Sequence, residues 1–122
     1  MSRRPSSARQ LSQLTHAPVF AALGDETRLL LLGKLRGGGS LSISDLSEGS
    51  RLTRQAITKH LRVLEDVSLV HGARRGRKML FNLTPRPIGD ARSYLDLVSS
   101  QWEQALARLK SHVESGAAIG PA

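Results

Sequence analysis

Gln55, Thr58, Lys59 and Arg62, with Arg54 beside them, follow one another at near-helical spacing. Wound into a helix they would share one side, and their chemistry is that of base recognition. Arg and Lys donate to guanine, Gln can bond adenine in a bidentate way, a Thr methyl can touch thymine, and an α-helix fits the major groove.

The element that must carry them is the stretch Thr53–Val67, TRQAITKHLRVLEDV. At 3.6 residues per turn it lines up Ile57, Leu61 and Leu64, flanked by Ala56, His60 and Val67, as a side to be buried. The donors lie opposite. Thr53 suits the N-cap, and the helix start it opens favours a phosphate. Taken alone, the same face could be an ordinary solvated one. Arg54, Gln55, Thr58 and Lys59 are the expected base-contacting set; Thr53, at the helix start, and Arg62, a turn further along, are expected to meet phosphate. His60 falls near the inward side and is expected to pack or hydrogen-bond within the protein.

The surroundings favour recognition. The 122-residue chain carries a formal charge of +8, and the 28 residues from Arg51 to Lys78 hold eight of its 18 Lys and Arg against only Glu65 and Asp66. A basic patch this concentrated points to a polyanion such as nucleic acid, with a membrane surface as the weaker alternative. No cysteine is present, which removes disulfides, thiolate metal sites and thiol catalysis together. No apolar run approaches the roughly 20 residues of a membrane span, and the polar start lacks the apolar core of a secretion signal. A cytoplasmic protein without membrane association is the expectation.

Residues 1–7 read as a loose basic arm and residues 116–122 as a disordered tail, with a single domain over 8–115 between them. A short helix is expected over Ala8–Leu14 and a second around Pro18, with Val19, Phe20 and Leu23 inward and Gly24 as its stop. Asp25 can cap a third helix whose core stripe reads Leu29, Leu30, Leu32 and Leu35 before Gly37-Gly38-Gly39. Arg28, after this acidic start, is expected to pair with a carboxylate. Leu41–Ile43 is a very short strand candidate, Ser44–Gly49 a brief helix, and Ser50-Arg51-Leu52 the turn into the helix at Thr53: the pattern of a helix-turn-helix.

Leu69–Arg74 and Lys78–Leu83 then read as two strands joined by Arg75-Gly76-Arg77, a hairpin with a basic tip. Arg74, Arg75, Arg77 and Lys78 are expected to lie along a phosphate backbone. Pro85 and Pro87 imply a non-helical link over Thr84–Gly89. A long helix is expected over about 90–114, its apolar line running through Leu95, Val98, Trp102, Leu106, Leu109 and Val113 in steps of three and four. Because such a module needs two half-sites to bind tightly, this line, helped by Leu11 and Leu14 of the first helix, is read as a dimer surface; an intramolecular core helix is the alternative. The fold class is thus mainly α with a small β-hairpin wing.

With these residues laid out, the chain resembles the ArsR-type winged helix-turn-helix transcriptional repressors over roughly Val19–Leu83, and more loosely in the last helix. Gly24-Asp25-x-Thr27-Arg28-Leu29 looks like the family's opening signature and Ser44-Asp45-Leu46 like the start of its first helix-turn-helix helix. Thr58-Lys59-His60-Leu61-x-x-Leu64 is similar to its recognition segment, and Arg75-Gly76-Arg77 to its wing. The resemblance implies a homodimer on a palindromic operator, usually near its own promoter, that leaves when an inducer binds.

It also implies where metal ligands would stand. In the family's thiol sensors two cysteines flank a hydrophobic residue just before Asp-Leu; here those places hold Ser42 and Ser44, poor ligands for soft metals. A second family site on the last helix pairs Asp-x-His with His-x-x-Glu, whereas here Asp90 is followed by Arg92, and His112 stands two residues before Glu114. No metal and no cofactor is expected, although an unidentified small-molecule effector is compatible with the family. Ser68 stands where the family commonly has Gly, so a serine must end the recognition helix or the helix must end differently.

The leading expectation is a sequence-specific, homodimeric repressor that binds double-stranded DNA. A winged-helix protein-interaction module and a non-specific architectural DNA binder are the alternatives. An enzyme is not expected: no His has a spaced acid or nucleophile, and Gly37-Gly38-Gly39-Ser40 lacks the Lys of a phosphate-binding loop.

Overall fold

A computed structural model describes the backbone of residues 8–116 and the side chains of residues 15–116. The elements run α1 (Ala8–Leu23), α2 (Glu26–Leu35), β1 (Leu41–Ser42), α3 (Ile43–Ser47), α4 (Arg54–Asp66), β2 (Val70–Arg75), β3 (Lys78–Leu83) and α5 (Pro85–Glu114). The arm at 1–7, the tail beyond 116 and the side chains of Leu11 and Leu14 lie outside the described residues.

Where two short helices were expected around Pro18, one continuous helix runs through it. Proline removes the amide that would bond the carbonyl of residue 14 and costs about 3 kcal/mol inside a helix. Packing offsets that cost: Val19 and Ala22 are buried, and Phe20 and Leu23 lie against the same core. Asp25 caps α2, its carboxylate accepting from the Arg28 amide at 2.9 Å. The rotation of α2 also differs from the expectation. Leu31, Leu32 and Leu35 are the buried residues, while Leu29 and Leu30 are exposed. Four consecutive leucines carry no period of their own, so the neighbouring elements set which of them face inward.

The core gathers Leu35, Leu46, Ile57, Leu61, Leu64, Leu69 and Val70, all fully buried. The stripe read for the helix at Thr53 is its centre: Ile57, Leu61 and Leu64 are the buried residues of α4. The helix ends at Ser68, which adopts φ 61°. There the Ser68 amide donates to the Glu65 carbonyl and the Leu69 amide to that of Leu64, both at 2.9 Å. This is the Schellman arrangement, completed by apolar Leu69 and Leu64 in the core, and it is normally built on glycine. Serine supplies the same geometry at a steric cost of about 1 kcal/mol.

The hairpin is part of a three-stranded antiparallel sheet, order β1-β3-β2. Leu41 pairs with Phe81 and Arg75 with Lys78. Between β2 and β3 only Gly76 and Arg77 remain, and Gly76 alone of the two has positive φ, the pattern of a type II′ turn. Gly72 is the other glycine the sheet needs: a Cβ there would stand 3.0 Å from Phe81 Cε1 and 3.4 Å from Glu65 Oε2.

The last helix starts at Pro85, five residues before the expected Asp90. Pro85 and Pro87 fall in its first turn, where the amides they lack would have no intrahelical partner, so they open the helix instead of forbidding it. The described chain parts into two compact units within α5, after Ala91. Ala91 is buried in the first unit. In the second, Leu95, Trp102, Leu106, Leu109 and Val113 are exposed, and Val98, Gln101, Trp102 and Ala105 line one shallow cleft of about 220 Å³ along the helix.

Candidate nucleic-acid interface

Thr53 sets the start of the candidate face. Its hydroxyl accepts from the Ala56 amide at 3.0 Å, fixing where α4 begins and therefore which residues fall on its first outward turns. Arg54, Gln55, Lys59 and Arg62 are exposed and Thr58 is half-buried. All five line one open groove of about 330 Å³, with Ile43 of α3 as its wall. The Thr58 hydroxyl donates to the Arg54 carbonyl at 2.8 Å, which uses its proton and leaves its methyl and the acceptor side of its oxygen available to a base.

A second cavity of about 220 Å³ adjoins the first through Arg54 and Ile43. It is lined by Ser42, Ser44, Arg54, Arg77, Lys78 and Met79. Here the first turn of α4 meets the tip of the hairpin, and three cations gather around one notch. Like charges placed together repel, and an anion seated among them relieves that repulsion. The four basic residues of the tip do not share one face of the hairpin. Strand alternation puts Arg74 on the face of Gly72 and Phe81, and Arg75 with Lys78 on the opposite face. Arg74 and Arg75 line neither cavity described above.

Two side chains of α2, Arg28 and Lys34, tie it to its neighbours. The Arg28 guanidinium donates from Nε to the Ala22 carbonyl at 2.8 Å and approaches His60 Nδ1 at 3.4 Å. Its carboxylate partner, Asp25, stands at 3.9 Å, so Arg28 binds chiefly the end of α1. His60 is an internal residue of this joint, as expected. Lys34 Nζ donates to the carbonyls of Leu46 at 2.8 Å and Glu48 at 3.0 Å, capping the end of α3 with a cation.

Ser42, one of the two serines at the resembled cysteine positions, is buried and caps α3. Its hydroxyl accepts from the Asp45 amide at 3.1 Å while the Asp45 carboxylate accepts from the Ser42 amide at 2.9 Å. The backbone bond from Ser42 is the main reason the Asp45 carboxyl is held below the usual carboxylate range, with the Ser42 hydroxyl and the Lys78 charge adding to it. The Asp25 carboxyl is likewise lowered, first by the Arg28 amide and then by the charges of Arg28 and His60. His71 bonds Thr84 Oγ1 through Nδ1 at 2.8 Å. At the end of α5, Glu114 pairs with Lys110 at 3.9 Å. Among the described residues no three His, Asp or Glu side chains gather as metal ligands would, and no helix is long and apolar enough to cross a membrane.

Sequence reasoning did not find the anchoring role of Lys34 or the capping role of Ser42. Ser-x-x-Asp at 42–45 is a weak form of the capping-box signal and was legible. The Lys34 contact joins residues 12 and 14 apart and left no local trace.

A three-helix core, a helix-turn-helix whose second helix presents donors, and a basic β-hairpin define a winged helix-turn-helix DNA-binding regulator of transcription. Residues 23–73 match a family model described as a helix-turn-helix domain. The chain is 43% identical over 75 residues to the uncharacterised HTH-type transcriptional regulator YuzN of Bacillus subtilis, covering 55% of this chain and 82% of the relative. Its fold superposes with TM-score 0.80 on an ArsR-like transcriptional regulator from Rhodococcus sp. RHA1, at 33% identity over 87% of this chain and 96% of that one. It also resembles, at TM-score 0.58 and 20% identity over 87% and 95% of the two chains, the homodimeric winged helix-turn-helix DNA-binding domain of Mb0332 from Mycobacterium bovis. The chain belongs to the ArsR-type winged helix-turn-helix transcriptional regulators, a family of DNA-binding proteins and not of enzymes.

Proposed function

We propose that the protein is a homodimeric repressor that binds a palindromic operator beside its own gene, with α4 in the major groove and the hairpin along the phosphate backbone. The observation that carries this reading is the convergence of Arg54, Gln55, Thr58, Lys59 and Arg62 on one open groove of α4. Gln55, Lys59 and Arg54 read base edges and the Thr58 methyl meets thymine. Thr53, Arg62, Arg77 and Lys78 hold phosphates, with Arg54 shared between the two groups at the notch; Arg74 and Arg75, on opposite faces of the ribbon, contribute to the hairpin's field more than to a single strand.

The dimer surface in this reading is the α5 stripe of Leu95, Val98, Trp102, Leu106 and Leu109, joined by Leu11 and Leu14. Trp102, 66% exposed, is the large aromatic that a protein interface would bury first. The description of Mb0332 as homodimeric supports the same assembly. Repression follows by occlusion of the promoter, and release by a shift between two dimer geometries that separates the recognition helices from their half-sites.

Footprinting the purified protein on the DNA upstream of its gene tests the proposal. Two protected half-sites related by a dyad, with centres about 10 base pairs or a multiple apart, are expected. Uniform protection of any duplex would favour the architectural alternative, and no protection the protein-interaction one.

A further inference from the structure

A cavity of about 510 Å³ lies on the side of the helix-turn-helix formed by α2 and the α3–α4 turn. Glu26, Thr27, Leu30, Leu31 and Lys34 of α2 face Leu46, Gly49, Ser50, Arg51 and Leu52 across it. Its size falls within the roughly 300–1,000 Å³ of small-molecule sites, and its lining is mixed, with Leu30, Leu31, Leu46 and Leu52 beside Glu26, Thr27, Lys34, Ser50 and Arg51. Leu30 is 63% exposed although it lines a concave surface whose floor, Leu31 and Leu46, is buried. The charges are not balanced. Glu26 complements the start of α2, Lys34 uses two of its three N–H groups on the carbonyls of Leu46 and Glu48, and among the described residues no carboxylate pairs with exposed Arg51.

We propose that this cavity binds a small amphipathic anion, its apolar body against Leu30, Leu31, Leu46 and Leu52 and its acidic head on Arg51 and the remaining donor of Lys34. The cavity shares no lining residue with the groove of α4. Arg51 stands two residues before the Thr53 cap, in the most basic part of the chain, so seating an anion on it removes one positive charge from the field around the start of α4. The occupant therefore lowers DNA affinity. Only this consequence rests on the proposed DNA-binding role; binding of the anion does not.

Octanoate is the probe, with octanol as its neutral counterpart. Added to the full-length protein without DNA, octanoate should shift the backbone amide signals of Thr27, Leu31, Ser50 and Leu52 in NMR spectra and bind at least tenfold tighter than octanol. Two substitutions at exposed positions preserve the fold: Arg51→Gln should lower octanoate affinity at least fivefold and leave octanol unchanged, and Leu30→Gln should weaken both. Octanoate binding no tighter than octanol, unchanged binding by Arg51→Gln, or shifts confined to α5 would each overturn the site. In a DNA titration, octanoate at a level that fills the native site should weaken binding several-fold, and Arg51→Gln protein should need at least fivefold more octanoate for the same effect. Octanoate bound in the cavity with DNA affinity unchanged would overturn the regulatory consequence. Absence of DNA binding altogether would contradict the proposed function and leave the anion site standing.

Discussion

Ser42 and Asp45 cap each other across the first turn of α3, hydroxyl to amide at 3.1 Å in one direction and amide to carboxylate at 2.9 Å in the other. By the resemblance drawn from the sequence, Ser42 stands where thiol sensors of the family would carry a cysteine. In this chain the position holds the helix that supports α4.

Acid should loosen this support. Asp45 and Asp25 both have carboxyls lowered below the usual range. A carboxyl whose folded pKa is depressed contributes stability that is fully present above its unfolded value, near pH 4, and is lost as pH falls through the folded one. Urea unfolding at pH 7, 4 and 3 should therefore give a midpoint that drops mainly below pH 4. Asp45→Asn should be less stable than the native chain at pH 7, the gap closing toward pH 3; a constant gap across that range would refute the role of the charge.

Ser68→Gly should stabilise the protein. Relief of the left-handed serine is worth about 1 kcal/mol, or a rise in melting temperature of about 3–6 °C for a chain of this size. Ser68→Ala, which keeps the φ of 61° but has no polar side chain, should not. A lower melting temperature for the glycine variant would mean that the serine side chain stabilises the turn in its own right.

Removing Lys34 should free the end of α3. Lys34→Ala loses two charge-assisted bonds at a mostly exposed position, a loss of about 1 kcal/mol. Hydrogen exchange should quicken first at the amides of residues 43–50. Unchanged exchange there would show that the ammonium only decorates the surface.

What was legible in the chain and what was not follows from the range of the interactions. Thr53 with Ile57, Leu61 and Leu64 is a local pattern, and α4, its buried side and its donor face came out as read. The Asp25 cap and the basic hairpin are equally local. Leu29 and Leu30 were misplaced because a run of four leucines hides the helix phase, and only packing against the rest of the core resolves it. Pro85 and Pro87 stop a helix in its interior but start one in its first turn, and local sequence does not say which. Pro18 is the reverse case, tolerated inside α1 because Val19 and Ala22, in the turn that follows it, are buried in the core. The convergence of Arg54 with Arg77 and Lys78 depends on tertiary packing between α4 and the hairpin, which no spacing in the sequence encodes.

The notch at Arg54 gives a salt-dependent test. Arg77→Ala and Lys78→Ala should each weaken binding to operator and random duplex alike and reduce the slope of log affinity against log salt by about 1. A loss confined to operator DNA would assign these residues to base reading instead.

Competition between operator and scrambled duplex, followed by fluorescence anisotropy for the native chain and for Lys59→Ala and Gln55→Ala, tests the central claim most directly. Recognition by the outward face of α4 predicts that each substitution costs about 1–3 kcal/mol of discrimination while the dimer persists in sedimentation. Full discrimination retained by both variants would contradict it.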